Sequence, residues 1–228
     1  MNTYSKTARL AGFFYLIVIV TGFFSLMYVP SKLIVWENPA LTFQYMSSSA
    51  QLFRLSIASS IVCYIAFTFL PLVLYQLLKE VNVNHAKLMV ILALISIPIS
   101  FINLQNKFSV LTIIEGTDYL KIFETKQLQS QMMVLLSTYN KGLLITQIFW
   151  GLWLLPFGYL VYKSGFLPKV LGIFLMLGCL GYLANVFGRT VFTHFSDYPI
   201  SGYITLPATV GEIGICLWLL LVGPPNKK

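Results

Sequence analysis

Apolar residues run through this sequence in long blocks, separated by short polar connections. A helix needs roughly 20 consecutive apolar residues to cross the hydrocarbon core of a bilayer. Six blocks reach or approach that length: Leu10–Val29, Leu52–Leu78, Leu88–Ile114, Gly142–Tyr162, Pro168–Gly188 and Leu206–Val222. The pattern predicts an all-α polytopic membrane protein. It would be a bundle of about six transmembrane helices forming a single domain over residues 1–228.

The connections carry the punctuation. Pro30 to Gln51 is polar, with Pro30, Pro39 and the triplet Ser47-Ser48-Ser49, and a short interfacial piece is expected around Trp36. Glu115 to Gln131 is the most hydrophilic stretch, and Met132–Thr138 reads as an amphipathic lead-in to the fourth span. In Lys163-Ser164-Gly165-Phe166-Leu167-Pro168-Lys169, glycine ends one helix and proline opens the next. Gly223-Pro224-Pro225 stops the last span, followed by Lys227 and Lys228. Pro71 and Pro98 lie well inside spans and are expected to kink or break them. The first block follows Lys6 and Arg9 as a signal peptide would. It is of full span length and lacks a small-residue cleavage pattern, so a retained helix is expected.

Composition agrees with this reading. Of 228 residues, 57% are apolar and 10% charged, against about 25% charged in soluble domains. The mean hydropathy is +0.80. The net charge of +8 comes from basic residues scattered singly between apolar runs, which points to membrane orientation and away from nucleic acid. With an even number of spans, one side collects Lys6, Arg9, Lys79, Lys87, Lys163, Lys169, Lys227 and Lys228 against the single acid Glu80. That bias predicts cytoplasmic N and C termini. Cys63, Cys179 and Cys216 each lie in an apolar run and read as packing residues, with no disulfide framework. The short match between Arg9-x-x-Gly12-x-Phe14 and Lys169-x-x-Gly172-x-Phe174 is too slight to establish internal duplication.

Motifs with known chemistry are missing. The two histidines, His85 and His194, fall in different loops, there is no HExxH or Cys/His set for zinc, and no Walker A, GxGxxG or GxSxG appears. No metal or cofactor is expected. What remains is a set of polar residues at membrane depth, where a charge costs at least about 2.5–3.5 kcal/mol and normally needs a partner or a wet cavity. Glu212 lies near the middle of the last span, between Gly211 and Gly214. Arg54, Asn103, Gln147, Asn185 and Arg189 fall, with it, between the midplane and the outer interface of the predicted topology. Two readings stand side by side. One is an outward-facing polar pocket in which Glu212 pairs with Arg54 or Arg189 and binds a lipid headgroup or small polar solute, with Tyr139, Asn140, Tyr182 and Tyr203 able to line it. The other is a set of interhelical hydrogen bonds that simply hold the bundle together. Lys107 and Arg54 are expected to snorkel to the outer headgroups. The stretch Phe149-Trp150-Gly151-Leu152-Trp153, with Pro156, Tyr159 and Tyr162, reads as an interfacial aromatic belt with a proline kink.

Several stretches together resemble a bacterial multispan family catalogued as domain of unknown function 4386. They are Ala8-Arg9-Leu10-Ala11-Gly12-Phe13-Phe14-Tyr15, Leu52-Phe53-Arg54-Leu55, the block from Phe149 through Pro156 and Gly158 to Pro168, Gly211-Glu212, and Leu217-Trp218-Leu219-Leu220. The resemblance implies a multi-pass protein of the bacterial inner membrane and supplies no activity. Non-enzymatic binding of a lipid or small polar ligand, in transport, sensing or an accessory role, is the leading functional expectation. The alternatives are an intramembrane enzyme acting on a lipid or isoprenoid with Glu212 as acid or base, and a structural subunit of a membrane complex. Membrane lipids are the expected partners, and the oligomeric state is open.

Overall fold

Backbone N–H and C=O groups in a hydrocarbon phase must bond within their own segment, so apolar runs of this length become helices. A computed structural model describes residues 3–223, and all its regular elements are helical. They are α1 (Thr3–Phe23), a π-helical turn (Phe24–Tyr28), α2 (Val29–Leu33), α3 (Pro39–Ser48), α4 (Ala50–Leu78), α5 (Val83–Glu115), α6 (Thr125–Leu152), α7 (Leu154–Lys163), α8 (Lys169–Val191), α9 (Ile200–Tyr203) and α10 (Leu206–Leu221). Short 3₁₀ turns precede α6 and α9. Six helices or joined helices are long and apolar enough to span a membrane: Tyr4–Leu33, Ala50–Leu78, Val83–Glu115, Thr125–Lys163, Lys169–Val191 and Ile200–Leu221.

Several boundaries differ from the sequence expectation. The fourth helix begins at Thr125, so the end of the hydrophilic stretch and the lead-in after it are helical and run straight into the span. The Pro30–Gln51 connection contains α3, capped by the Asn38 side chain accepting from the Leu41 N–H at 3.0 Å. Helices α4 and α5 continue through Pro71 and Pro98 without a break. Pro156 behaves differently. It has no N–H for the Leu152 carbonyl, and the helix is interrupted at Trp153 between α6 and α7. Gly165 and Gly223, at φ of +73° and +68°, occupy the left-handed region that ends helices, as expected. Pro224, Pro225, Lys227 and Lys228 lie outside the described residues.

The chain forms two compact units whose boundaries fall inside helices. The first contains the chain up to Ile17, Ala66–Pro98 and the chain from Leu144 on; the second contains Val18–Ile65 and Ile99–Leu143. In the first unit, α8 packs on α7 and on α10 through glycines. A methyl at Gly158 would lie 2.6 Å from the Gly172 carbonyl, and one at Gly178 would lie 2.6 Å from the Ala208 Cα. Gly211 and Gly214 face Leu175 and Leu171 of α8, and Gly12 faces Leu220 of α10. The similar starts at Arg9 and Lys169 thus share a physical cause, since Gly12 and Gly172 are both close-approach positions. These small residues serve packing within the chain.

The aromatic stretch also departs from the expected belt. Trp153 is 1% exposed and stacks on Phe157 at 5.1 Å between ring centroids, with Phe67 edge-on at 5.2 Å and Tyr15 at 6.3 Å. It is the centre of an aromatic core in the first unit. Burial of so large a ring outweighs an interfacial position for it. The second unit is built around Val29, Leu33, Met46, Phe53, Ile57, Leu104, Val110 and Leu136. Cys63, Cys179 and Cys216 are buried free thiols.

Candidate functional site

The six residues singled out by depth and polarity make local partnerships. Tyr15 of α1 donates its hydroxyl to Glu212 Oε1 at 2.9 Å, and Glu212 forms no ion pair among the described residues. The expected pairing of Glu212 with Arg54 or Arg189 therefore does not form. Arg54 instead meets Glu115, at the end of α5, at 2.6 Å, with both side chains partly exposed. In α8, Arg189 Nε donates to Asn185 Oδ1 at 3.1 Å, and Asn185 Nδ2 donates to Gln147 Oε1 of α6 at 2.9 Å. Asn103 Nδ2 donates to the Tyr139 carbonyl at 2.9 Å. Gln147, Asn185 and Arg189 come together as one chain; the others belong to separate contacts. Each expected donor has found an acceptor within the protein, which is what bundle-holding hydrogen bonds require.

Glu212 offers a direct test of that description. Glu212→Gln keeps an oxygen that can accept from Tyr15 and breaks no ion pair, so stability should change by less than about 1 kcal/mol. Tyr15→Phe leaves a partly buried acceptor without its donor and should cost about 1–2 kcal/mol. Thermal unfolding in detergent measures both. Collapse of the glutamine variant alone would mean that the carboxylate charge has a partner it depends on.

Lys107 is different. Its expected snorkelling does not occur: the residue is 3% exposed, and the ammonium donates to the Ser25 carbonyl at 3.1 Å. The local backbone explains why that carbonyl is available. In the π-helical turn the Val29 N–H bonds to the Phe24 carbonyl, one residue further back than in an α-helix. The next residue is Pro30, which has no N–H. Ser25 is thus left with no helical donor, and Lys107 supplies one. The same ammonium lies 4.7 Å from the centroid of the Tyr139 ring, in cation–π range. No carboxylate pairs with Lys107 among the described residues.

Lys107 is among the residues lining a cavity of about 210 Å³ within the second unit. Its walls are mostly apolar, including Leu26, Val29, Met46, Phe53 and Leu136, with Trp36 from the loop after α2. Ser56 also lines it; the residue is 1% exposed and its hydroxyl has no hydrogen-bond partner among the described residues. The arrangement is a small, mostly apolar chamber whose lining includes one buried lysine and two hydroxyls, of Ser56 and Tyr139, without a hydrogen-bond partner among the described residues.

Sequence reading by depth alone gives Lys107 a snorkelling position and does not single out Ser56, although a signal for an inward lysine is present. Ser96, Ser100, Asn103 and Lys107 follow one another at spacings of four, three and four residues. That spacing puts them on one face of α5, and all four are buried. A polar stripe on the buried face of an apolar helix distinguishes an inward lysine from a snorkelling one.

The chain matches the family described as Domain of unknown function (DUF4386) over residues 10–223. It is also similar to an uncharacterized protein of Archaeoglobus fulgidus, at 36% identity over 76 residues. That match takes in 33% of this chain and 43% of the relative, so less than half of the relative's length is spanned. No solved structure matches the chain. The family match takes in all six candidate spans, in whole or large part, and the protein is a member of the DUF4386 family.

Proposed function

We propose that this multi-pass membrane protein is a non-enzymatic binding protein for a small ligand, acting in transport, sensing or an accessory role. The observation that carries the reading is the cavity lined by Lys107 and Ser56. A buried ammonium without a counter-ion is expensive, and intramembrane cations of this kind normally face a ligand or a partner charge. Glu212 and the other five polar residues at membrane depth have partners in separate contacts and supply weaker support for a site. The cationic bias of the connections supports cytoplasmic termini, and the bacterial inner membrane is the setting this reading assumes. The cavity residues would then lie in the outer half of the bundle, open to ligands from that side.

Mass spectrometry of small molecules that co-purify with the protein in nanodiscs tests the reading. The wild-type protein should retain a species that Lys107→Met loses. Identical inventories from the two proteins would refute it. A C-terminal green fluorescent protein fusion should fluoresce if the C terminus is cytoplasmic, and a dark fusion at normal expression would reverse the orientation.

A further inference from the structure

We infer that the cavity in the second unit takes a small monocarboxylate with an apolar body, its carboxylate held by Lys107 and Ser56. This inference rests on the reading of the cavity as a ligand site and adds the chemical class. The first argument is charge. One lysine lines the cavity, and neither an arginine nor a second cation does. A single negative charge neutralises it, a neutral ligand leaves it uncompensated, and a dianion leaves an excess buried charge.

The second argument is the donor set. An ammonium has three N–H donors, and the Ser25 carbonyl takes one of Lys107's. The Ser56 hydroxyl is a further donor without a partner among the described residues, and so is the Tyr139 hydroxyl of the same lining. A carboxylate is acceptor-only, with two oxygens, and matches these groups without bringing a donor of its own that would need burying. A phosphate monoester carries close to two charges near neutral pH, one more than the single lysine of the lining neutralises.

Size and lining supply the third argument. An apolar cavity of about 150 Å³ accommodates benzene, so one of about 210 Å³ suits a molecule of about eight non-hydrogen atoms. Hexanoate is of that size. Its chain would lie against Leu26, Val29, Met46, Phe53 and Leu136, beside Trp36, which is 44% exposed.

Equilibrium binding of radiolabelled hexanoate to the full-length protein in nanodiscs tests the inference. Saturable binding of one molecule per chain is expected, displaced by unlabelled hexanoate and benzoate but not by hexanamide or inorganic phosphate. Lys107→Met should weaken it by about ten- to a hundredfold, and Ser56→Ala by about three- to tenfold. If Lys107→Met does not fold, Ser56→Ala and the cavity-filling Leu143→Phe carry the test, the latter expected to abolish binding. Displacement by hexanamide as effective as by hexanoate overturns the inference, as does hexanoate binding indifferent to these variants. Phosphate binding that depends on Lys107, with hexanoate inert, overturns the carboxylate class and leaves the cavity as a ligand site. If neither probe binds in a Lys107- or Ser56-dependent way, the inference falls; the inventory of co-purifying molecules then decides separately whether the cavity binds anything.

Discussion

Trp153→Ala should destabilise the protein by about 3–5 kcal/mol, among the largest losses that a single truncation can produce. The ring is fully buried and is in contact with Phe157, Phe67 and Tyr15, so its removal opens a cavity that three surrounding aromatics cannot all close. The position makes matters worse. Trp153 sits at the interruption between α6 and α7, where the missing N–H of Pro156 has already weakened the helix. The ring's packing therefore fixes the relation of the two helical segments. Trp153→Phe should recover much of the loss, because a smaller aromatic keeps part of the stack with Phe157. Tyr162→Ala, at an exposed position of α7, should change stability by less than about 0.5 kcal/mol. Thermal unfolding in detergent, followed by near-ultraviolet circular dichroism, distinguishes these outcomes. Equal effects at Trp153 and Tyr162 would mean that the aromatic cluster is not a core.

Gly178→Leu is expected to prevent assembly of the α8 and α10 pair, at a cost above about 3 kcal/mol. Even a single methyl at this position would lie 2.6 Å from the Cα and Cβ of Ala208 and 2.9 Å from its backbone nitrogen. Those atoms belong largely to the main chain, so no rotamer change can clear them and the helices must separate. Gly178→Ala should accordingly cost about 1–3 kcal/mol. Gly202, with no atom within contact range of an added methyl, is the matching control. Gly202→Ala should be neutral or stabilising by up to about 1 kcal/mol, since it lowers backbone freedom in a short helix. The fraction of monodisperse protein on size exclusion and the unfolding midpoint in detergent would report both. A Gly178→Leu protein as stable as the wild type would show that α8 and α10 do not approach this closely.

The glycine pattern bears on oligomerisation as well. Small residues along membrane helices are often read as a surface for a partner helix. Here Gly158, Gly172, Gly178, Gly211 and Gly214 all face other helices of the same chain. The composition of α8 and α10 therefore carries no argument for assembly with a second protein.

The helical class and the six candidate spans were legible in the residue pattern because a bilayer leaves the backbone one economical solution. Each apolar run of sufficient length must satisfy its own hydrogen bonds, and no partner is needed to decide that. Helix ends at Gly165 and Gly223 were legible for a related reason, since a left-handed turn selects glycine locally. The start of the fourth helix at Thr125 was not, because its polar first turns carry no apolar run to mark them.

Side-chain partnerships were beyond a one-dimensional reading. Depth along a span could be estimated for Glu212, Arg54 and Lys107, but each partner depends on how its helix is rotated about its own axis. That rotation is set by packing: glycines bring α8 against α7 and α10, and the Tyr15 ring places its hydroxyl on Glu212. The Lys107 contact needed still more, namely a π-helical turn and Pro30 that together free the Ser25 carbonyl for a lysine 82 positions along the chain. Run length and charge distribution establish that this chain crosses a membrane about six times. Which buried charge faces a cavity was decided only when the helices packed, because a side chain's environment in a bundle is made by residues distant in sequence.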